Sequence, residues 1–134
     1  MLSYGNGDMS SRNASLCSRY RALVEQHYTE HLAIESYATR LNVSHAQLSK
    51  MIRRDNGLSA RDTLRMRLIR EAKRLLAGSD IPVGDVAAQL GYEDPSYFSR
   101  FFKKHTSSTP TRFRAVFRSD ARVQHARSAS PGRG

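Results

Sequence analysis

One apolar pattern is written twice along this chain, about fifty residues apart, and that duplication restricts the fold more than any other feature. In the first copy Ile34, Tyr37, Ala38 and Leu41 recur at i, i+3, i+4 and i+7, followed by Asn42, Ser44 and the run SKMIRR at 49–54. In the second, Val83, Val86, Ala87 and Leu90 are followed by Gly91, Asp94 and the run SRFFKK at 99–104. The spacing gathers four apolar side chains on one side of a short helix. Asn42 and Gly91 hold matching places where the chain must reverse, and both residue types tolerate positive φ. A second amphipathic helix with a basic outer side then follows in each copy. Two copies of one helix–turn–helix unit are predicted, over about 33–55 and 82–105.

The remaining punctuation completes an all-α fold of seven helices. Tyr20, Leu23, Val24 and His27 line one side of a first helix. Ser44 caps the third helix, which stops near Asn56 and Gly57, and Ser59 caps a long connecting helix over 59–77. On that helix Leu64, Leu68, Ala72, Leu75 and Leu76 form a stripe. Gly78 ends it, Pro82 opens the fifth helix at its N1 position, and Asp94 and Pro95 cap and open the sixth. Thr109 and Pro110 open a seventh, with Phe113 and Phe117 as its apolar contacts. Residues 1–18 are rich in Ser, Gly and Asn and read as a disordered arm or linker; 119–134 read as a disordered basic tail. The patterned part is 19–118.

Charge identifies the class of partner. The 134 residues hold 22 Lys and Arg against 12 Asp and Glu, a formal net charge of +10. The patterned residues 19–118 carry 18 of those cations and 10 of the anions, so the excess sits on the folded part. A polyanion is implied, nucleic acid before an acidic membrane surface. Cys17 is the only cysteine, which excludes an internal disulfide and a cysteine zinc cluster. His27 and His31 have the spacing of a metal pair but no accompanying ligand motif, and read as a solvated helix end; no metal or cofactor is expected. No apolar run approaches membrane-spanning length and no signal-peptide core is present. The compartment implied is a reducing, nucleic-acid-containing cytoplasm.

An α-helix fits the major groove, where each base pair shows a distinct donor and acceptor pattern. Leu48, Met51 and Ile52 turn the third helix inward, leaving His45, Ala46, Ser49, Lys50 and Arg53 outward with Arg54 on the flank. Phe98, Phe101 and Phe102 do the same for the sixth, leaving Ser96, Ser99, Arg100 and Lys103 outward with Lys104 beside them. The planar fork of Arg100 matches guanine O6 and N7, and Lys50 holds the equivalent place with less geometric selectivity. Arg53, Arg54, Lys103 and Lys104 come later in each helix and suit phosphates, as do His45 and the helix start at Thr111. Tyr92 and Tyr97 read as packing residues. The connecting helix spans about 28 Å at about 1.5 Å per residue. Successive major grooves on one side of DNA lie about 34 Å apart, within reach of such a spacer if the DNA bends.

The stretch IPVGDVAAQLGYEDPSYFSRFFKKHTSSTPTRFR at 81–114 resembles the signature of the AraC/XylS family of bacterial transcription regulators. RMRLIREAKRLL at 65–76 is similar to that family's linker helix, and the resemblance covers about 20–118. It implies seven helices, two helix-turn-helix units and promoter recognition through the third and sixth helices. It places the base-facing positions on Ala46, Ser49 and Lys50, then on Ser96, Ser99 and Arg100. Two positions depart from it. Ser107 stands where the family has a glycine ending the sixth helix, and Ile52 where it has an aromatic. Many relatives also carry a ligand-sensing and dimerisation domain, for which this chain has no room. It is either a stand-alone regulator or the DNA-binding half of a longer protein.

Sequence-specific regulation of transcription, as an activator that also touches RNA polymerase, is thus the leading expectation. A non-specific binder working by charge alone is the alternative, and it has no need of duplicated, capped helices. Catalysis is not expected: no nucleophile–base pair, carboxylate pair or phosphate loop is present. Some alkylation-repair proteins join a methyl-accepting cysteine domain to this kind of unit, but lone Cys17 lacks that setting. Monomeric binding to an asymmetric site is expected, because the copies differ and no coiled-coil seam is present.

Overall fold

A computed structural model describes residues 3–129, with side chains over 14–120. Seven α-helices follow one another: α1 Ser3–His27, α2 Ile34–Arg40, α3 His45–Asn56, α4 Ala60–Gly78, α5 Val83–Gln89, α6 Pro95–Thr106 and α7 Pro110–Ala129. A short 3-10 turn, Tyr28–Glu30, follows α1, and no strand occurs among the described residues. The chain divides into two compact units, 1–68 and 69–134, with α4 passing from one into the other.

The two ends differ from the sequence expectation. The arm expected over 1–18 is helical from Ser3 onward, and Leu16 and Cys17 are buried. Those two residues extend the Tyr20 and Val24 stripe backward by i−4 and i−3, so the packed side of α1 begins inside the expected arm. Likewise α7 continues to Ala129, past the tail boundary set at Ser119. Residues 119–129 hold neither Gly nor Pro, and Ala, Arg and Gln favour helix. The parts of the arm and tail at 1–2 and 130–134 lie outside the described residues.

In the first unit α1, α2, α3 and the start of α4 enclose Tyr20, Val24, Ile34, Tyr37, Ala38, Leu41, Leu48, Ile52 and Ala60. Asn42 makes the turn at φ 58° and Gly57 closes α3 at φ 76°. Ser44 and Gln47 form a reciprocal capping box at the start of α3. Ser59 and Asp62 repeat it at α4, where the Ser59 hydroxyl holds the Asp62 carboxyl below the usual carboxylate range. Arg67 pairs with Glu25 through two 2.7 Å bonds, and its guanidinium lies 4.3 Å from the centre of the Tyr28 ring. His27 is no solvated end: its ring sits between Glu30 and Arg40.

Tyr20 and Tyr37 meet edge to face at 5.5 Å, and burial pushes both phenols up. The Tyr20 hydroxyl donates to the Ala60 carbonyl at 2.6 Å, whereas the buried Tyr37 hydroxyl has no hydrogen-bond partner among the described residues. A buried polar group without a partner costs stability, while a satisfied one contributes about 1 kcal/mol. Tyr20→Phe is therefore expected to lower unfolding free energy by about 1 kcal/mol, and Tyr37→Phe to be neutral or stabilising. Urea unfolding of the two variants checks this; a larger loss for Tyr37→Phe than for Tyr20→Phe contradicts it.

In the second unit the end of α4, α5, α6 and α7 enclose Ala72, Leu76, Val86, Ala87, Leu90, Phe98, Phe102 and Pro110. Pro82 is the N-cap of α5, one place before the expected N1, and Gly91 turns at φ 85°. Asp94 caps α6 by accepting from the Ser96 N–H at 2.9 Å, with Pro95 at N1. Two arginines of α7 reach carbonyls left open where α4 ends: Arg114 Nε donates to Leu76 at 2.9 Å, and Arg118 to Ser79 at 2.6 Å. Ser107 closes α6 in the left-handed region at φ 65°, a position that strains any Cβ. Ser107→Gly relieves that strain and is expected to stabilise by about 0.5–1 kcal/mol, after the entropy cost of glycine in the unfolded chain. A lower denaturation midpoint for this variant runs against that account.

Candidate nucleic-acid interface

The second helix of each unit rests on its apolar side and leaves the opposite side to solvent. Leu48 and Ile52 are buried under α3, and Phe98 and Phe102 under α6; Met51 and Phe101 are half-buried beside them. His45, Ala46, Lys50, Arg53 and Arg54 are exposed on α3, as are Ser96, Arg100, Lys103 and Lys104 on α6. Ser49 and Ser99 are half-buried at the margin of each face. Thr111 is exposed in the first turn of α7. Each helix therefore presents the residues its periodicity assigns to the outside, with small side chains among cations.

The ion pairs show where the carboxylates go. Arg21 pairs with Asp55, Arg65 with Asp62, Arg67 with Glu25, Arg74 with Glu71 and Arg118 with Asp80. None of these arginines lies on α3 or α6. Lys50, Arg54, Lys103 and Lys104 have no acidic partner among the described residues, and Arg53 only faces Asp62 at longer range. Some of this cationic charge complements the carbonyl ends of α3 and α6, which hold Arg53, Arg54, Lys103 and Lys104 in their last turns. Lys50 and Arg100 sit mid-helix, where that explanation does not reach.

Three observations at this interface depart from the sequence reading or add to it. His45 Nδ1 lies 3.5 Å from Glu35 of α2, so an acidic side chain stands beside a residue assigned to phosphate. Tyr97, read as packing, is 59 % exposed, whereas Tyr92 does pack, half-buried against Phe98 and Phe101. Burial pushes the Tyr92 phenol up. Third, Lys103 and Thr111 line one open cavity of 660 Å³ together with Arg112, Ser108 and Thr109. Arg112 was missed, although its place beside Thr111 in the first turn of α7 carries the signal. The Thr109 hydroxyl caps α7 by accepting from the Arg112 N–H at 3.2 Å. Cys17, placed by the sequence in an arm, is 1 % exposed in α1, and burial pushes its thiol up. No helix of the described residues is long and apolar enough to cross a membrane.

A helix-turn-helix domain family profile matches residues 37–116. The arabinose operon regulatory protein of Escherichia coli is 36 % identical over 95 residues, covering 67 % of this chain and 32 % of that protein. The C-terminal domain of AraT, a response regulator from Geobacillus stearothermophilus, has a TM-score of 0.71 at 32 % identity, covering 75 % of this chain and 84 % of that one. The DNA-binding domain of AdpA, a global transcriptional factor solved with a target DNA, has a TM-score of 0.70 at 26 % identity, covering 78 % and 94 %. The chain spans 32–39 % of the length of three curated relatives it matches. Two matched helix-turn-helix units, their caps, and these likenesses agree: the chain belongs to the AraC/XylS family of transcription regulators and carries that family's DNA-binding domain.

Proposed function

We propose that α3 and α6 enter successive major grooves of promoter DNA, with Arg100 and Lys50 reading bases and the later cations holding phosphates. One observation carries the proposal: on two corresponding helix faces, in duplicated units, Lys50, Arg54, Arg100, Lys103 and Lys104 have no acidic partner among the described residues. Ala46, Ser49, Ser96 and Ser99 let the backbone approach the base edges beside them. Arg53, Arg54, Lys103, Lys104 and Thr111 fix position without specifying sequence, joined by Arg112 across the shared cavity. His45 contributes least to this set, because Glu35 competes for it. Double-stranded promoter DNA is the partner, RNA polymerase a second one at activated promoters, and the chromosome-bearing cytoplasm the place of action. The domain works without catalysis; the raised thiol of buried Cys17 does not suit a methyl acceptor.

Selection of bound duplexes from a random pool at physiological salt tests this reading. Two short boxes about one helical turn apart, about 10 base pairs, are expected. Retention without any enriched sequence overturns it and leaves binding by charge alone, with its steep salt dependence.

A further inference from the structure

The two recognition helices differ at one position that the duplication brings into register. Aligning Ser49 with Ser99 and Lys50 with Arg100 sets Gln47 against Tyr97. Gln47 is committed to its own backbone: its side-chain oxygen accepts from the Ser44 N–H at 2.9 Å in the capping box. Tyr97 has no such duty, since Asp94 caps α6 alone. Its ring is the most exposed of the large apolar side chains among the described residues, at 59 %. Yet it is not loose. It leans on Tyr92 with ring centres 6.1 Å apart, and Tyr92 is held in turn against Phe98 at 5.3 Å and Phe101 at 5.8 Å. The Arg100 guanidinium also lies over this ring, 5.9 Å from its centre. The aromatic core of the second unit thus runs outward through Tyr92 and Tyr97 to the arginine on the exposed face.

We propose that Tyr97 is a positioning residue for Arg100, holding its guanidinium ready for a guanine edge and making the second unit the stricter reader of bases. This rests on the base-readout role proposed for α6. An arginine free in solvent must give up several rotamers to form a two-bond contact; a guanidinium already resting on an aromatic ring has fewer to lose. The attraction is small, because 5.9 Å is near the outer limit of about 6 Å for a cation over a ring. Lys50 in the first unit has no ring beside it among the described residues and reaches its acceptors unaided.

The test compares the whole chain carrying Tyr97→Gln, Tyr97→Phe, Arg100→Ala and Tyr97→Gln with Arg100→Ala. Each is titrated against the selected duplex and against one in which the guanine read by Arg100 is replaced. Tyr97→Gln, which installs the side chain of the first copy, is expected to shrink discrimination between the duplexes by about two- to fivefold. Tyr97→Phe keeps the ring and is expected to retain discrimination. Binding to an unrelated duplex and thermal stability stay unchanged in both, which a merely structural role would not allow. The double variant is expected to discriminate no worse than Arg100→Ala alone. If Tyr97→Gln leaves discrimination intact while Arg100→Ala abolishes it, the positioning role is wrong and the base-reading role stands. If the two losses multiply, Tyr97 touches DNA on its own account and the proposal fails. If Arg100→Ala changes nothing, base readout by α6 falls and takes the proposal with it.

Discussion

Arg100→Ala is expected to cost about 1–3 kcal/mol of binding to the selected duplex, a loss of about five- to 150-fold at room temperature. The side chain is exposed in the middle of α6, without an acidic partner among the described residues and away from the last turn, where Lys103, Lys104 and His105 answer the helix carbonyls. Its loss therefore removes little from folding and nearly everything from a two-bond contact to guanine. The variant should bind mutated and unmutated duplexes almost equally at the position it reads. Lys103→Ala makes the contrast. It should weaken all duplexes alike and lower the slope of log affinity against log salt by about 1. Titrations at two or more salt concentrations separate these outcomes. An Arg100→Ala protein that keeps full preference for its box excludes direct readout by this residue.

Phe102→Ala is expected to be the most damaging single change to the fold, at about 3–5 kcal/mol. Phe102 is fully buried beneath α6, with its ring 6.0 Å from Phe98 and 5.7 Å edge-to-face from Phe113 of α7. Truncation opens a cavity between α6 and α7, and Phe98 and Phe113 each lose one aromatic neighbour. A small domain has only about 5–15 kcal/mol in total, so the second unit of the variant should melt well below the first. Urea unfolding followed by circular dichroism should show two transitions in place of one. Binding should fall back to the box read by α3. A shift below about 1 kcal/mol would mean that the second unit collapses around the missing ring.

The parts of this structure that were legible in the sequence are those whose causes are local. Ser44, Ser59, Asp94 and Thr109 cap helices because a side-chain oxygen can reach an amide two or three residues on, whatever the rest of the chain does. Asn42, Gly57 and Gly91 take positive φ for equally local reasons, and the strain expected at Ser107 is present. Spacing alone separated the buried from the exposed sides of α3 and α6. What escaped depends on neighbours distant in sequence. Leu16 and Cys17 join α1 because the first apolar core, α3 included, gives them something to pack on. His45 meets Glu35 across the turn between two helices, a contact that no periodicity encodes. Tyr97 and Tyr92 read alike along the chain, yet one is half-buried and the other mostly exposed, because only Tyr92 can reach the Phe98 and Phe101 rings.

The continuity of α4 has a consequence for how the chain is made. Residues 1–68 contain every member of the first apolar core, including Ala60 at the start of α4. That core is complete once the first half of α4 has left the ribosome, and domains close in the order of synthesis. The closed unit then presents a helix already begun, and elongating a helix is far easier than starting one, with an initiation constant of about 10⁻³. Ala72 and Leu76, both fully buried, belong to that elongating half. The later unit thus inherits its first scaffold from the earlier one. A glycine or proline placed near Ile69 would break this inheritance during translation even where the finished protein tolerated it.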